Sequence, residues 1–451
     1  MLTRDTIKGA SITVMGAARS GMDVALLLKR KGASVFLSEI AEAKEKAEAV
    51  KNLQSHQIAY EFGGHTDRIF EADTLVLSPG ISVNHPIAQK AKSRHMDVLG
   101  ELEVASWFCM KKIAAVTGSN GKSTTTALLG EMVKQSGQQS VIAGNIGTSL
   151  SSQFKRFDEP GIAVVEVSNF QLETIRDFHP VTVVFLNLTP DHLDRHGTLA
   201  EYGRIKSRIF ENQTKRDFAV YCAADKEVNA IIQSVHSQKF PFQMEDPGTD
   251  GAFVFNHQLS VRWQGQIIQF CPVHEMGIPG PHNVTNGLAA TMAAVCLGIP
   301  DKAIEKGLRS FSGLPHRLEL IKEINQVSWY NDSKATNVES MKCALDSFKN
   351  PIILIAGGRD KDSDFTVIKN QIQQKTRLVI LIGEAAEKIA FSWQGASNFL
   401  KSDSLSEAVD KAHQSACPGD IVLLSPGCAS FDMFENFEDR GNQFKSLVQA
   451  L

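Results

Sequence analysis

The residues with the clearest chemical potential run from Gly118 to Thr124, Gly-Ser-Asn-Gly-Lys-Ser-Thr. Gly118 and Gly121 let backbone N–H groups turn inward around an anion. Lys122 adds a full positive charge for the β- and γ-phosphates of a nucleotide, and the hydroxyl of Ser123 or Thr124 can hold Mg²⁺. The apolar run Ile113 to Val116 precedes this loop and helix formers follow from Ala127. The loop therefore sits at a helix N-terminus, where the dipole favours negative charge. Its spacing is about two residues shorter than the common GxxxxGK[ST] pattern, which marks a variant P-loop and a narrower set of ATP users. The plainer alternative is an ordinary loop with a surface lysine.

Glu166 closes the apolar stretch Ile162 to Val167. A carboxylate there is costly unless a cation meets it. At the end of a strand beside a P-loop that cation is Mg²⁺, or else a Lys or Arg side chain. The segment Asn187 to His196 follows the apolar run Val181 to Leu186 and crowds polar groups together. Within it His192 is a candidate metal ligand, with Asp191 or Asp194 to orient it. The basic stretch Tyr202 to Phe210 reads as a helix, and residue types alone do not separate Lys206 from Arg204 or Arg208. Three further polar loops follow apolar runs, at Asn331 to Asn337, Gly357 to Lys361 and Ser425 to Asp432. Loops at strand ends are where α/β sheets bind ligands. Lys334 and Lys361 point to an anionic substrate, and Gly/Ser-rich turns without a ligand are the alternative.

The elements that position these loops follow an α/β pattern. In the first hundred residues, strands are expected over Ser11 to Met15, Ala33 to Leu37 and Thr74 to Leu77, with a helix from Met22 to Arg30. The turn Gly16 to Gly21 carries Ala18 where the full dinucleotide fingerprint has glycine. It serves a nucleotide diphosphate through its N–H groups, or it is purely structural. A helix from Leu102 to Met110 leads into the P-loop strand. Central strands follow at Ser140 to Ala143, Ile162 to Val167, Val181 to Leu186 and Phe218 to Tyr221, a doubly wound parallel sheet. Alternation between Phe253 and Phe270 predicts antiparallel hairpins, and Ala289 to Leu297 an apolar helix ended at Gly298. A third α/β unit has strands at Val327 to Tyr330, Ile352 to Ala356, Leu378 to Ile382 and Ile421 to Leu424.

At 451 residues the chain is too long for one core. Its formal charge of −3 gives no footprint for nucleic acid or an anionic membrane. No apolar run approaches the roughly 18 residues of a membrane span, and the polar start, Met1 to Lys8, is unlike a signal peptide. Seven scattered cysteines without metal-ligand spacing suit reduced thiols in a cytoplasm.

Read together, Gly118 to Thr124, Glu166-Val167-Ser168, Asp191-His192-Leu193-Asp194, His282-Asn283-Val284-Thr285-Asn286 and His316-Arg317 resemble the Mur ligases. These are the ATP-dependent amide ligases that assemble the peptidoglycan stem peptide. The segment Asn331 to Asn337 and the stretch Ser425 to Phe444 resemble the branch that adds D-glutamate to UDP-N-acetylmuramoyl-L-alanine. The resemblance implies an ADP-forming enzyme working through an acyl phosphate, with ATP and two Mg²⁺. It also implies three α/β domains: a Rossmann-like UDP-substrate domain (1–102), a central P-loop domain with a parallel sheet for ATP and Mg²⁺ (103–313), and a Rossmann-like amino-acid domain (314–451). A cytoplasmic monomer is expected, acting on small molecules and not on nucleic acid or membrane.

By that likeness Lys122 contacts phosphate. Ser123 and Glu166 hold one Mg²⁺, and His192 helps hold a second. Lys206 falls at the family's carbamylated lysine, a metal-binding anion. Gly118, Ser119, Asn120, Gly121 and Thr124 line the ATP loop, joined by Asn283, Asn286, Arg317 and Asp332. Lys334, Thr336, Lys361, Ser430 and Phe437 surround D-glutamate. Arg19, Ser20 and Gly80 lie at the uridine diphosphate, with Asn145 and Ser168 toward the muramoyl-alanine end. Ser38 and Arg359 depart from the pattern, each standing where family members carry an acid. Another Mur or folylpolyglutamate-type ligase would carry other residues at 333–337. A P-loop switch ATPase would turn over ATP without D-glutamate, and a redox enzyme would need the missing glycine at Ala18.

Overall fold

The computed structural model describes residues 2–145, 147–156, 159–190, 193–360 and 362–451. They form α/β architecture on three sheets. The first sheet holds β1 (Ser11–Met15), β2 (Ser34–Ser38), β3 (Ala59–Glu61), β4 (Thr74–Leu77) and β5 (Asp97–Gly100), all parallel, in the order 3-2-1-4-5. The direction of strand succession reverses between β1 and β4. The loops after these two strands, 16–21 and 78–81, therefore flank a switch-point crevice.

The second sheet has nine strands: β6 (Lys112–Thr117), β7 (Ser140–Gly144), β8 (Ile162–Glu166), β9 (Thr182–Phe185), β10 (Phe218–Cys222), β11 (Gln238–Phe242), β12 (Gly251–Phe255), β13 (Gln258–Trp263) and β14 (Gln266–Pro272). Their order is 14-13-12-11-10-9-6-8-7. β6, which feeds the P-loop, lies between β9 and β8, parallel to both. The expected hairpins are the antiparallel pairs β12–β13 and β13–β14.

The third sheet orders β15 (Glu319–Ile324), β16 (Val327–Asn331), β17 (Ile352–Gly357), β18 (Thr376–Ile382), β19 (Phe399–Lys401) and β20 (Ile421–Leu424) as 15-16-20-17-18-19. Alternation along β17 shows why it sits at the centre. Ile352, Leu354 and Ala356 enter one core, and Ile353 and Ile355 the other. A strand apolar at every position is satisfied only with both faces covered.

The chain separates into two compact units. One comprises Met1–Met276 with Thr285–Ser310, and the other Gly277–Val284 with Phe311–Leu451. The first two sheets share the first unit, and the boundary falls inside the helix Pro281–Cys296. Some elements differ in extent from the sequence reading. The stretch 102–110 is helical only over Glu101–Ser106. There Glu103, fully buried, turns its carboxylate to the backbone: Oε1 accepts from Asp177 N (2.8 Å) and Oε2 from Arg176 N (2.8 Å) and Phe178 N (3.0 Å). Trp107 Nε1 also donates to Oε1, at 2.7 Å. The basic helix spans Leu199–Ser207 and tightens into a 3₁₀ turn, Arg208–Phe210. Arg208 donates there to the carbonyls of Leu172, Glu173 and Ile175.

Candidate functional site

The P-loop is held from one side by the loop after β9. Asn187 Oδ1 accepts from Ser119 N (3.1 Å) and Asn120 N (2.8 Å), and Asn187 Nδ2 returns a bond to Asn120 O. Ser119 Oγ donates to Thr189 O and accepts from Thr189 N, both at 3.0 Å. Gly121 caps the helix Lys122–Gln135 at φ +83°, in the left-handed region. A Cβ there would stand 2.4 Å from Asn286 Oδ1, so glycine is required on both counts. Asn286 Oδ1 also accepts from Thr125 Oγ1 at 3.3 Å, which fixes this amide beside the loop. Lys122 Nζ folds back onto the carbonyls of Gly118 (2.9 Å) and Ser119 (2.7 Å). Ser123 is buried and Thr124 half-buried at the first turn of the helix.

Glu166 ends β8, beside β6, and is 2% exposed. Its Oε1 accepts from Asn145 Nδ2 at 2.8 Å, and its Oε2 has no hydrogen-bond partner among the described residues. A buried carboxylate oxygen left without a partner is costly. A hard cation would satisfy it, and Mg²⁺ uses few protein carboxylates alongside phosphate oxygens and water. Glu166 and the buried Ser123 hydroxyl therefore fit one Mg²⁺. The side chain meeting Glu166 Oε1 is an amide, not the alternative Lys or Arg.

Lys206 is fully buried. Its Nζ donates to Gly118 O at 2.9 Å and Thr117 Oγ1 at 3.4 Å, bringing it under the P-loop. This choice among the basic residues was closed to residue-type reasoning. Arg204 instead pairs with Glu201 at the surface, and Arg208 with Glu211. As an ammonium Lys206 repels a metal ion, whereas as a carbamate it would be an anionic ligand. The expectations on Asp191, His192, the Asp194 side chain and Lys361 lie outside the described residues.

A cleft of about 290 Å³ opens at the crevice of the first sheet, lined by Arg19, Ser20, Gly80, Asn145, Ser149 and Gln171 among others. Four of the five residues expected at the UDP-substrate thus share one cavity. Ser168, the fifth, caps the helix Asn169–Leu172 through a reciprocal capping box with Gln171. Arg19 Nη1 donates to Gly147 O, and Ser149 Oγ to Asp23 Oδ2 at 2.6 Å. Ser38, the departure at the end of β2, is buried, with its hydroxyl within hydrogen-bonding distance of Glu61 Oε1 (2.5 Å) and His65 Nδ1 (2.7 Å). The acid next to it, Glu39, accepts instead from Ala17 N in the Gly16–Gly21 turn, at 2.5 Å.

In the second unit the loops after β16, β17 and β20 converge on one residue missed in the sequence. Arg440 is fully buried in the helix Phe437–Ala450. It donates to Ser333 Oγ (2.9 Å), Ser333 O (2.8 Å), Cys428 O (3.2 Å) and Ala429 O (3.4 Å). Burial pulls its guanidinium down to about 10. Ala429 in turn bridges antiparallel to Arg359, whose side chain is ion-paired with Glu384 at 3.0 Å. Lys334 Nζ lies 5.3 Å from the Phe437 ring centroid, and Ser333 Oγ donates to Phe437 O. Thr336 is half-buried in the same loop and Ser430 fully buried.

Asp332 is buried with its carboxyl pushed up to about 7, because burial outweighs its bonds from Ser425 Oγ (2.8 Å) and Leu318 N (3.2 Å) and the nearby Arg317 and Arg440 charges. His316 adopts φ +63° and meets Asn331 Nδ2 at 3.0 Å. Asn283 Nδ2 donates to Pro279 O at 2.6 Å. Burial and the Arg317 charge both hold the neighbouring His282 below the usual imidazole range.

Comparison with known proteins agrees along the whole chain. Family models match in three places: the MurD N-terminal domain at residues 11–87, the Mur ligase middle domain at 116–294, and the Mur ligase glutamate ligase domain at 316–428. The UDP-N-acetylmuramoylalanine–D-glutamate ligase of Salinibacter ruber is 40% identical over 461 residues, covering 100% of both chains. The ligase of the same name from Pelotomaculum thermopropionicum is 40% identical over 98% of this chain and 97% of its own. Among solved structures, a pseudomurein peptide ligase type C from Methanothermus fervidus superposes with a TM-score of 0.60 at 20% identity, covering 98% of this chain and 100% of its own. UDP-N-acetylmuramate-alanine ligase from Thermotoga maritima gives 0.60 at 17% identity over 98% and 99%. At such identities these two share the fold.

Proposed function

The chain belongs to the UDP-N-acetylmuramoylalanine–D-glutamate ligases of the Mur ligase family, and on that premise we propose that it joins D-glutamate to UDP-N-acetylmuramoyl-L-alanine with ATP, forming ADP, in peptidoglycan synthesis. The carrying observation is the pairing of two features on adjacent parallel strands. One is the Gly118–Lys122 anion cradle after β6, and the other is Glu166 Oε2 at the end of β8, which has no partner among the described residues.

The alanyl carboxylate attacks the γ-phosphorus and ADP departs. The D-glutamate amine then adds to the acyl phosphate carbonyl, and the tetrahedral intermediate gives up an amine proton and expels phosphate, leaving the amide. What the chain supplies is position and charge. Lys122 swings from the Gly118 and Ser119 carbonyls to the phosphates. Glu166 and Ser123 hold a Mg²⁺, which when bound neutralises phosphate charge. His192 and a carbamylated Lys206 serve a second. Asn283, Asn286, Arg317 and Asp332 act on the nucleotide, and Lys334, Thr336, Lys361, Ser430 and Phe437 on D-glutamate. The cleft at Arg19, Ser20, Gly80 and Asn145, with Ser168 nearby, receives the UDP-substrate. The segments 1–102, 103–313 and 314–451 divide these three tasks in a cytoplasmic monomer.

The test is phosphate release with ATP and UDP-N-acetylmuramoyl-L-alanine, adding each amino acid in turn. D-glutamate should stimulate turnover. Equal stimulation by L-glutamate, or none by D-glutamate, rules the assignment out.

A further inference from the structure

Lys206 stands at one end of a stacked column. Its Nζ lies 4.8 Å from the centroid of Tyr202, four residues earlier on the same helix. The Tyr202 ring stacks on His196 (centroids 5.5 Å apart, planes 29°). His196 stacks on Phe170 (6.2 Å, 28°), and the Arg195 guanidinium covers Phe170 at 4.2 Å. The far end is anchored, since Arg195 pairs with Glu173 through two bonds of 2.5 and 3.0 Å. The middle is anchored too, because Asn169 Nδ2 lies 2.6 Å from His196 Nε2. Tyr202 is 1% exposed, His196 9% and Asn169 3%.

A lysine has four rotatable bonds, and burial alone does not choose among its rotamers. The Tyr202 face leaves Nζ the side toward Gly118 O, and Tyr202 in turn keeps its place by leaning on His196. We propose that His196 is a positioning residue for Lys206, acting through the Tyr202 ring. The inference rests on the carbamate role proposed for Lys206. There the neutral Nζ amine adds to the carbon of dissolved CO₂, forming an N–C bond while one C=O pair moves onto oxygen and a proton leaves the nitrogen. A nitrogen held in one direction favours that addition at the right place, whereas a wandering one forms the carbamate away from the phosphates or not at all.

The test compares the wild-type chain with His196→Leu, His196→Phe and Asn169→Ala. Each is loaded with ¹³C-bicarbonate and read by ¹³C NMR without substrates, with Lys206→Ala locating the carbamate signal. Steady-state kinetics are measured in parallel. In His196→Leu the carbamate signal should fall severalfold and kcat about tenfold, with KM for ATP and D-glutamate within about twofold. His196→Phe keeps the stack and should restore both signal and kcat to within about threefold. Asn169→Ala keeps every ring, removes only the His196 anchor and should fall between wild type and His196→Leu. It decides the matter if His196→Leu does not fold. A wild-type signal in both His196→Leu and Asn169→Ala overturns the proposal. So does a His196→Phe variant as impaired as His196→Leu, a loss seen in KM alone, or no carbamate in the wild type. A failure of the D-glutamate assignment would show differently, as wild-type phosphate release indifferent to that amino acid.

Discussion

Replacing Asp332 by Asn should make the second unit more stable above about pH 7 and remove most of its pH dependence between about pH 4 and 7. Burial raises this carboxyl from 3.8 to about 7. Between those values the folded chain keeps a proton that the unfolded chain has lost. Stability contributed by the protonated form is thus complete below 3.8, declines as pH rises, and is gone above 7. A rise of that size corresponds to about 4 kcal/mol. In Asp332→Asn the group is neutral throughout, Leu318 N still has an oxygen to meet, and the Ser425 hydroxyl can turn to accept from the new amide. The variant should therefore melt about 8–16 °C above wild type at pH 8, at roughly 2–4 °C per kcal/mol for a unit of this size, and close to it at pH 4. Trp329 and Trp393, both fully buried in this unit, give a fluorescence signal for its unfolding. Parallel pH slopes in the two proteins between pH 4 and 8 would refute the reasoning.

Gly121→Ala combines a left-handed φ with a Cβ 2.4 Å from Asn286 Oδ1, so kcat/KM for ATP should drop about five- to thirtyfold, as expected of about 1–2 kcal/mol of backbone strain at the P-loop; an unchanged value in initial-rate assays contradicts the geometry. Glu103→Gln turns one of two accepting oxygens into a donor facing backbone N–H groups and should lower stability by about 2–4 kcal/mol in urea titration. A shift below about 0.5 kcal/mol would mean that those bonds are replaced by water.

Chemistry carried by contiguous residues was legible in the sequence. The P-loop is a local object, since its glycines, lysine and helix start lie within a few residues and need no tertiary information. Glu166 was visible because an acid at the end of an apolar strand is a conflict that only a partner resolves. The strand pattern was legible for the same reason in β17, where burial on both faces leaves an unbroken apolar run. What residue types and spacing could not single out depends on residues distant in sequence. Lys206 is one of several basic residues in this stretch until the direction it faces is known, and that direction matters because Gly118, 88 residues earlier, lies there. Arg440 is one more charged residue on an amphipathic helix until the loops at 333 and 428–429 arrive around it. Asn187 reads as one member of a polar site cluster and acts as a clamp on the P-loop. Edge strands such as β3 and β19, three residues each, carry too little pattern to register.

The Glu103 carboxylate has a consequence for how this chain can change over time. Its partners at 176–178 are main-chain N–H groups, which every residue except proline possesses. Point changes at Arg176, Asp177 or Phe178 leave the anchoring bonds available, whereas proline at any of them, or loss of Glu103 itself, removes one or more. As far as these bonds go, the side chains along this segment can change while the path of the backbone is inherited, although Phe178 is also held by its place in the core. The selective constraint on that path falls on an acid 73 to 75 residues away, a dependence that a position-by-position view of the segment would attribute to nothing nearby.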